Sequence, residues 1–156
     1  MSLDDYFRIG QTVELGSHVF LPDEIKHFAA KYDPQRFHMD EAAAEHSVFG
    51  RLCASGWHTC AMWMKYNLAH REDYEERPWT GEGAPPEFGP SPGFQNLRWL
   101  KPVYAGETIT FTRQAVKHRA LASRPGWRVL TLICGAVDSK GDKVLEFESA
   151  VLVKAE

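Results

Sequence analysis

The sequence predicts an α+β domain in which an antiparallel five-stranded sheet wraps a long central helix. Three patterns lead there. The segment Gly56–Ala69 is apolar or aromatic on nearly every side, with Lys65 its only Lys, Arg, Asp or Glu, as expected of a buried helix. Four later stretches, at 94–100, 108–117, 127–137 and 144–153, read as strands. Alternation is plain in Ile109/Phe111 and in Leu145/Phe147/Ser149/Val151/Val153, the mark of half-buried antiparallel strands. A fifth strand, at 12–21, precedes the helices.

Taken in order, the first strand carries Val13, Leu15, Val19 and Phe20 around the small pair Gly16-Ser17. Pro22 fits the first position of a helix, and Asp23 and Glu24 sit where the helix dipole favours negative charge. Ile25, Phe28, Ala29 and Tyr32 then line one helical face. Pro34 stops this helix near Asp33, because the residue before a proline is pushed out of the α region. Asp40 is a good N-cap for a short helix at 41–46, and Phe49-Gly50 turns out of it. Ser55 is expected to cap the long helix, whose main apolar stripe reads Trp57, Cys60, Ala61, Met64 and Leu68.

From 70 to 93 a charged run gives way to a Gly/Pro-rich passage, a flap or insertion whose length suits a functional lid that shapes a ligand tunnel. The four late strands follow in expected meander order, with a hairpin turn at Ser139-Lys140-Gly141-Asp142 and a longer polar turn at 119–126. A sheet of this size leaves edges open, so pairing with a second copy is expected.

Bulk properties narrow the function. With 156 residues the chain suits one domain, 1–156, burying a single core. A formal net charge of −3 and the lack of a basic run give no reason to expect nucleic acid. No apolar run approaches the ~20 residues that cross a bilayer, and the acidic start lacks a signal-peptide core, so no membrane partner and a cytoplasmic location are expected. Cys53, Cys60 and Cys134 are odd in number and lack CxxC spacing, so they read as small buried hydrophobes in a reducing compartment. No His/Cys/Asp spacing resembles a metal ligand set, and no cofactor is expected.

The stretch richest in chemistry runs from Tyr32 to Gly56. It places a carboxylate, Asp33, and an imidazole, His38, in irregular backbone after a broken helix, where side chains can be aimed at a ligand. An Asp before Pro is more often a turn or cap residue and a lone His more often structural, so the pair alone is a weak signal. His58 reads first as packing in the long helix, and His46 and His70 as solvated surface residues.

Three segments then resemble a known family: Tyr-Asp-Pro-Gln-Arg-Phe-His-Met-Asp from Tyr32, Phe-Gly-Arg-Leu-Cys-Ala-Ser-Gly-Trp-His-Thr from Phe49, and Leu-Lys-Pro-Val-Tyr-Ala-Gly-Glu-Thr from Leu100. Together they are similar to the MaoC-like dehydratases, the hot-dog-fold (R)-specific enoyl-CoA hydratases and their relatives. The resemblance spans about Tyr6 to Val153 and keeps the family's order. Asp33 and His38 fall on the two catalytic positions of the family's Asp-x-Asn-Pro-x-His motif, while Gln35 and Arg36 replace its Asn and Pro.

The resemblance implies a hydro-lyase of fatty acid metabolism. It would add water to a 2-enoyl thioester of coenzyme A or acyl carrier protein, or remove it, as a homodimer or a multiple of dimers. Asp33 and His38 would handle the proton, and the Gly56 N–H, near the positive end of the long helix, would serve the thioester oxyanion. Ser55 and Gln35 would support them, Ser55 by bonding Asp33. Two alternatives stay open. A thioesterase of the same fold usually carries a carboxylate on or beside the long helix, and Gly56–Ala69 has none. A non-catalytic acyl-thioester-binding or structural subunit would fit the altered Gln35-Arg36.

Overall fold

The computed structural model describes residues 1–70 and 76–156; the charged part of the expected flap, 71–75, lies outside the described residues. Helix α1 (Leu3–Phe7) opens the chain and was not expected. Ser2 and Asp5 form a reciprocal capping box: the Asp5 N–H donates to Ser2 Oγ at 3.1 Å and the Ser2 N–H to Asp5 Oδ2 at 3.0 Å. The box lets a five-residue helix bury Tyr6 and Phe7.

Strand β1 (Thr12–Val19) leads to α2 (Pro22–Tyr32), a one-turn 3-10 helix (Arg36–His38), α3 (Glu41–Glu45) and α4 (Gly56–Ala69). Pro22 opens α2, and Asp40 caps α3 by accepting from the Ala42 N–H at 3.1 Å. Strands β2 (Glu87–Phe88), β3 (Gly93–Trp99), β4 (Thr108–Ala120), β5 (Trp127–Val137) and β6 (Lys143–Lys154) complete the chain. The sheet is antiparallel and has six strands, because the two-residue β2 joins the five expected.

The expected meander holds only for β4, β5 and β6. Strand β3 pairs with β6 instead of β4, and β1 takes the place beside β4. The β3–β4 connection is the cause. It runs across the sheet end and binds the segment before α4, with the Ala54 N–H on Val103 O at 2.8 Å and the Ala105 N–H on Leu52 O at 3.0 Å. That crossing sends β3 to one side of the sheet and β4 toward the other.

Helix α4 lies against the inner face of the sheet, but the stripe Trp57, Ala61, Met64 and Leu68 faces outward. His58, Thr59 and Trp63 are the buried set, with Tyr66 part-buried beside them. The inward face wins because its polar handles find partners: Trp63 Nε1–H donates to Thr112 O at 3.0 Å and the Tyr66 hydroxyl meets His18 Nδ1 at 3.0 Å. Tyr66 also stacks on Phe111, and a Cβ on Gly16 would come within 2.7 Å of the Tyr66 ring. The β1 bulge at Glu14/Gly16, where Gly16 has φ +132°, provides that close approach.

The described part of the flap, 76–93, packs on α1 and β6. Arg77 donates to Tyr6 O at 3.1 Å, Trp79 meets the Tyr6 ring edge-on at 5.5 Å, and β2 pairs with the end of β6.

Candidate active site

Helix α2 ends where Pro34 requires, and Asp33 is its C-cap, with φ −154° and ψ 69° and its N–H on Ala29 O. The chain then turns through the 3-10 helix, which brings His38 back toward Asp33. His38 Nε2 lies 3.4 Å from Asp33 Oδ2, and both side chains are largely buried.

Each atom of this pair has a defined neighbour. Gln35 Nε2–H donates to Asp33 Oδ1 at 2.7 Å, and Ser55 Oγ–H donates to Asp33 Oδ2 at 2.7 Å. His38 Nδ1 lies 2.6 Å from Cys53 O. A carbonyl only accepts, so Nδ1 carries a proton, and Nε2 is the ring atom that faces Asp33. Cys53 is held in turn by its own N–H on Phe37 O at 3.2 Å and by a bridge to Tyr104. Its thiol is pushed up to about 11 by burial, so it stays protonated near neutral pH and is a poor nucleophile.

Ser55 departs from its expected role as a cap. It occupies the N-cap position of α4 but makes no side-chain cap bond, because its fully buried hydroxyl is committed to Asp33. The His58 and Thr59 N–H groups turn back to Ser55 O at 2.9 and 3.3 Å. The Gly56 N–H, at the first helical position, is among the orphan donors that any helix start leaves. Gly56 lies in the wall of the same cleft as Asp33 and His38.

The cleft has a volume of about 470 Å³. Phe37, Phe49, Val103 and Val144 give it apolar walls, and Trp57 and Trp99 border it near Gly56. Lys101 lines it too, but its ammonium is engaged by Asp138 at 2.7 Å and Asp142 at 3.1 Å. No residue of the described flap is among those lining it.

The structure thus brings together Asp33, Gln35, His38, Ser55 and Gly56. It leaves Arg36 exposed beside them and His46 exposed on the surface, with His70 half-buried at the end of α4. His58 is buried outside the cleft lining, stacked on Phe28 at 4.6 Å. Sequence reasoning missed the Cys53 carbonyl and Trp99. A backbone carbonyl leaves no mark in residue types, and Trp99 reads as one more strand aromatic. Among the described residues no group of three or more His, Cys, Asp or Glu is placed to hold a metal, and no helix is long and apolar enough to cross a membrane.

Comparison with known proteins places this geometry. A MaoC-like dehydratase from Rhodospirillum rubrum is 29% identical and superposes with a TM-score of 0.80, covering 100% of this chain and 98% of that one. The uncharacterised Bacillus subtilis protein YdeM is 28% identical over 155 residues, 99% of each chain. The (R)-hydratase from A. caviae involved in PHA biosynthesis is 22% identical, with a TM-score of 0.66 over 95% of this chain and 96% of that one, a likeness of fold. The curled antiparallel sheet around α4 is therefore the hot-dog arrangement. Residues 6–126 match the family model described as MaoC like domain, and the chain belongs to that family.

Proposed function

We propose that this protein is an acyl-thioester hydratase/dehydratase that adds water across the double bond of a 2-enoyl thioester, or removes it from the 3-hydroxyacyl product. One observation carries the reading. A carboxylate and an imidazole with a fixed tautomer stand 3.4 Å apart in an apolar cleft whose wall includes the start of a helix.

The chemistry follows from the atoms available. A water held between Asp33 and His38 Nε2 loses a proton to Nε2 as its oxygen bonds to the β-carbon of the substrate. Negative charge moves to the thioester oxygen, where the Gly56 N–H at the positive end of α4 receives it. The imidazolium, balanced by the adjacent Asp33 carboxylate, then gives its proton to the α-carbon. The pair ends as it began, so the same groups serve dehydration in reverse. Gln35 and Ser55 hold the carboxylate through one hydrogen bond on each oxygen.

The carrier in this reading is coenzyme A or acyl carrier protein. The working unit is a homodimer or a multiple of dimers, supported by the exposed β3 and the outward stripe of α4. Mixing the purified protein with 2-enoyl-CoA substrates of several chain lengths should bleach the conjugated thioester absorbance. Absence of turnover across straight, branched and dicarboxylic acyl groups would sink the activity.

A further inference from the structure

Trp99 packs against Gly56 at the start of α4. A Cβ added to Gly56 would overlap the Trp99 indole, so the ring itself lies against the Gly56 α-carbon. The Trp57 ring meets it edge-on at 5.0 Å and 82°. Both indoles border the cleft that contains Asp33 and His38.

We propose that Trp99 is a specificity-determining residue that admits flat acyl thioesters unbranched at the α-carbon and excludes α-branched ones. This rests on reading the cleft as an acyl-thioester site. With the carbonyl oxygen on the Gly56 N–H and the β-carbon beside Asp33 and His38, the α-carbon lies between them, next to the indole. A conjugated 2-enoyl thioester is planar and slides along an aromatic wall. A methyl on its α-carbon lies in that plane and projects from its edge toward the corner that the Trp57 ring makes with the indole at 82°. Gly56 is a small residue of the lining, and the indole is the bulky surface packed against it.

The test is calorimetric binding of butyryl-CoA and 2-methylbutyryl-CoA to the wild type, Trp99→Ala and Trp99→Phe, with turnover of the matching 2-enoyl-CoAs measured in parallel. One methyl group against an apolar wall is worth roughly 10- to 200-fold. The wild type should prefer the unbranched ligand by at least about tenfold, and Trp99→Ala should erase or invert that ratio. Trp99→Phe, which keeps a ring, should retain part of it. In addition, Gly56→Ala should weaken unbranched-ligand binding in the wild type and less so in Trp99→Ala, where the overlapping ring is gone. Equal binding of the two ligands by wild type, an unchanged ratio in Trp99→Ala, or no acyl-CoA binding at all would each overturn the proposal. A shifted ratio without turnover of any enoyl thioester would uphold the role of Trp99 and reject the hydratase reading instead.

Discussion

Among the described residues, besides the Asp4–His118 pair at 2.8 Å beside α1, two carboxylate–imidazole clusters can be set side by side, and their surroundings differ. In one, Asp33 adjoins His38 at 3.4 Å. In the other, a single oxygen of Glu24 meets His18 Nε2 at 2.6 Å and His58 Nε2 at 3.1 Å, and the Tyr66 hydroxyl meets the far side of His18 at 3.0 Å. Exposure does not separate them in the expected direction, because the Glu24 side chain is 32% exposed and that of Asp33 16%. What differs is the surroundings. Asp33 and His38 open on a cleft shared with a helix start, whereas His58 is packed between Phe20 and Phe28. The second cluster instead ties β1, α2 and α4 together. Titratable groups become chemistry only where a ligand-sized space and a place for developing charge adjoin them.

The comparison breaks most directly at the first cluster. Asp33→Ala or His38→Ala should lower kcat/KM by ~10²–10⁴-fold on an enoyl thioester while circular dichroism stays native. Turnover that survives both substitutions would remove them from the reaction. At the second cluster, Glu24→Ala should leave kcat within a few-fold and instead cost about 1–3 kcal/mol in urea unfolding. The cost arises because the buried His58 N–H loses its acceptor, while the part-exposed His18 can turn to water. An Asp33-sized loss of kcat in a stable Glu24→Ala protein would merge the two clusters into one site.

A pH series sharpens the same contrast. Burial holds the His58 imidazole below its usual pKa, with the Glu24 hydrogen bond opposing in part. As pH falls, the unfolded chain takes up this proton first. The contribution of His58 is therefore complete above about pH 6.5 and is lost as pH falls toward its folded-state pKa. Melting temperatures of the wild type should decline below that point, and His58→Gln should flatten the decline. An identical slope in both proteins would assign it to other groups. The smallest effect is expected at Ser55. Ser55→Ala removes one of the two bonds to the Asp33 carboxylate, and kcat/KM should fall about tenfold, in line with a charge-assisted hydrogen bond worth ~1.5 kcal/mol.

Local rules carried much of the structure into the sequence. Pro22 and Pro34 bracket α2, Asp40 caps α3, and the late strands alternate as they fold. The capping box of Ser2 and Asp5 that opens α1 is an equally local signal, a Ser followed three residues later by a carboxylate. The outward stripe of α4 was a different failure. Helical periodicity finds apolar faces, but α4 has two, and nothing local says which one the sheet covers. Ser55 illustrates the same limit. Its type and position announce a cap, yet a carboxylate 22 residues earlier in the chain competes for the hydroxyl and wins.

By itself, then, the sequence determined where α2, α3 and α4 start, which five stretches are extended, and that Asp33 and His38 share one short segment after a broken helix. Those outcomes follow from backbone sterics and short-range spacing, which act between neighbours. Only the tertiary structure decided that β3 joins β6, that the Cys53 carbonyl sets the His38 tautomer and that Trp99 covers Gly56. Each of these is a contact between segments distant in sequence. Such contacts depend on how whole surfaces pack, and many pairings suit the same local pattern until the complete core selects one.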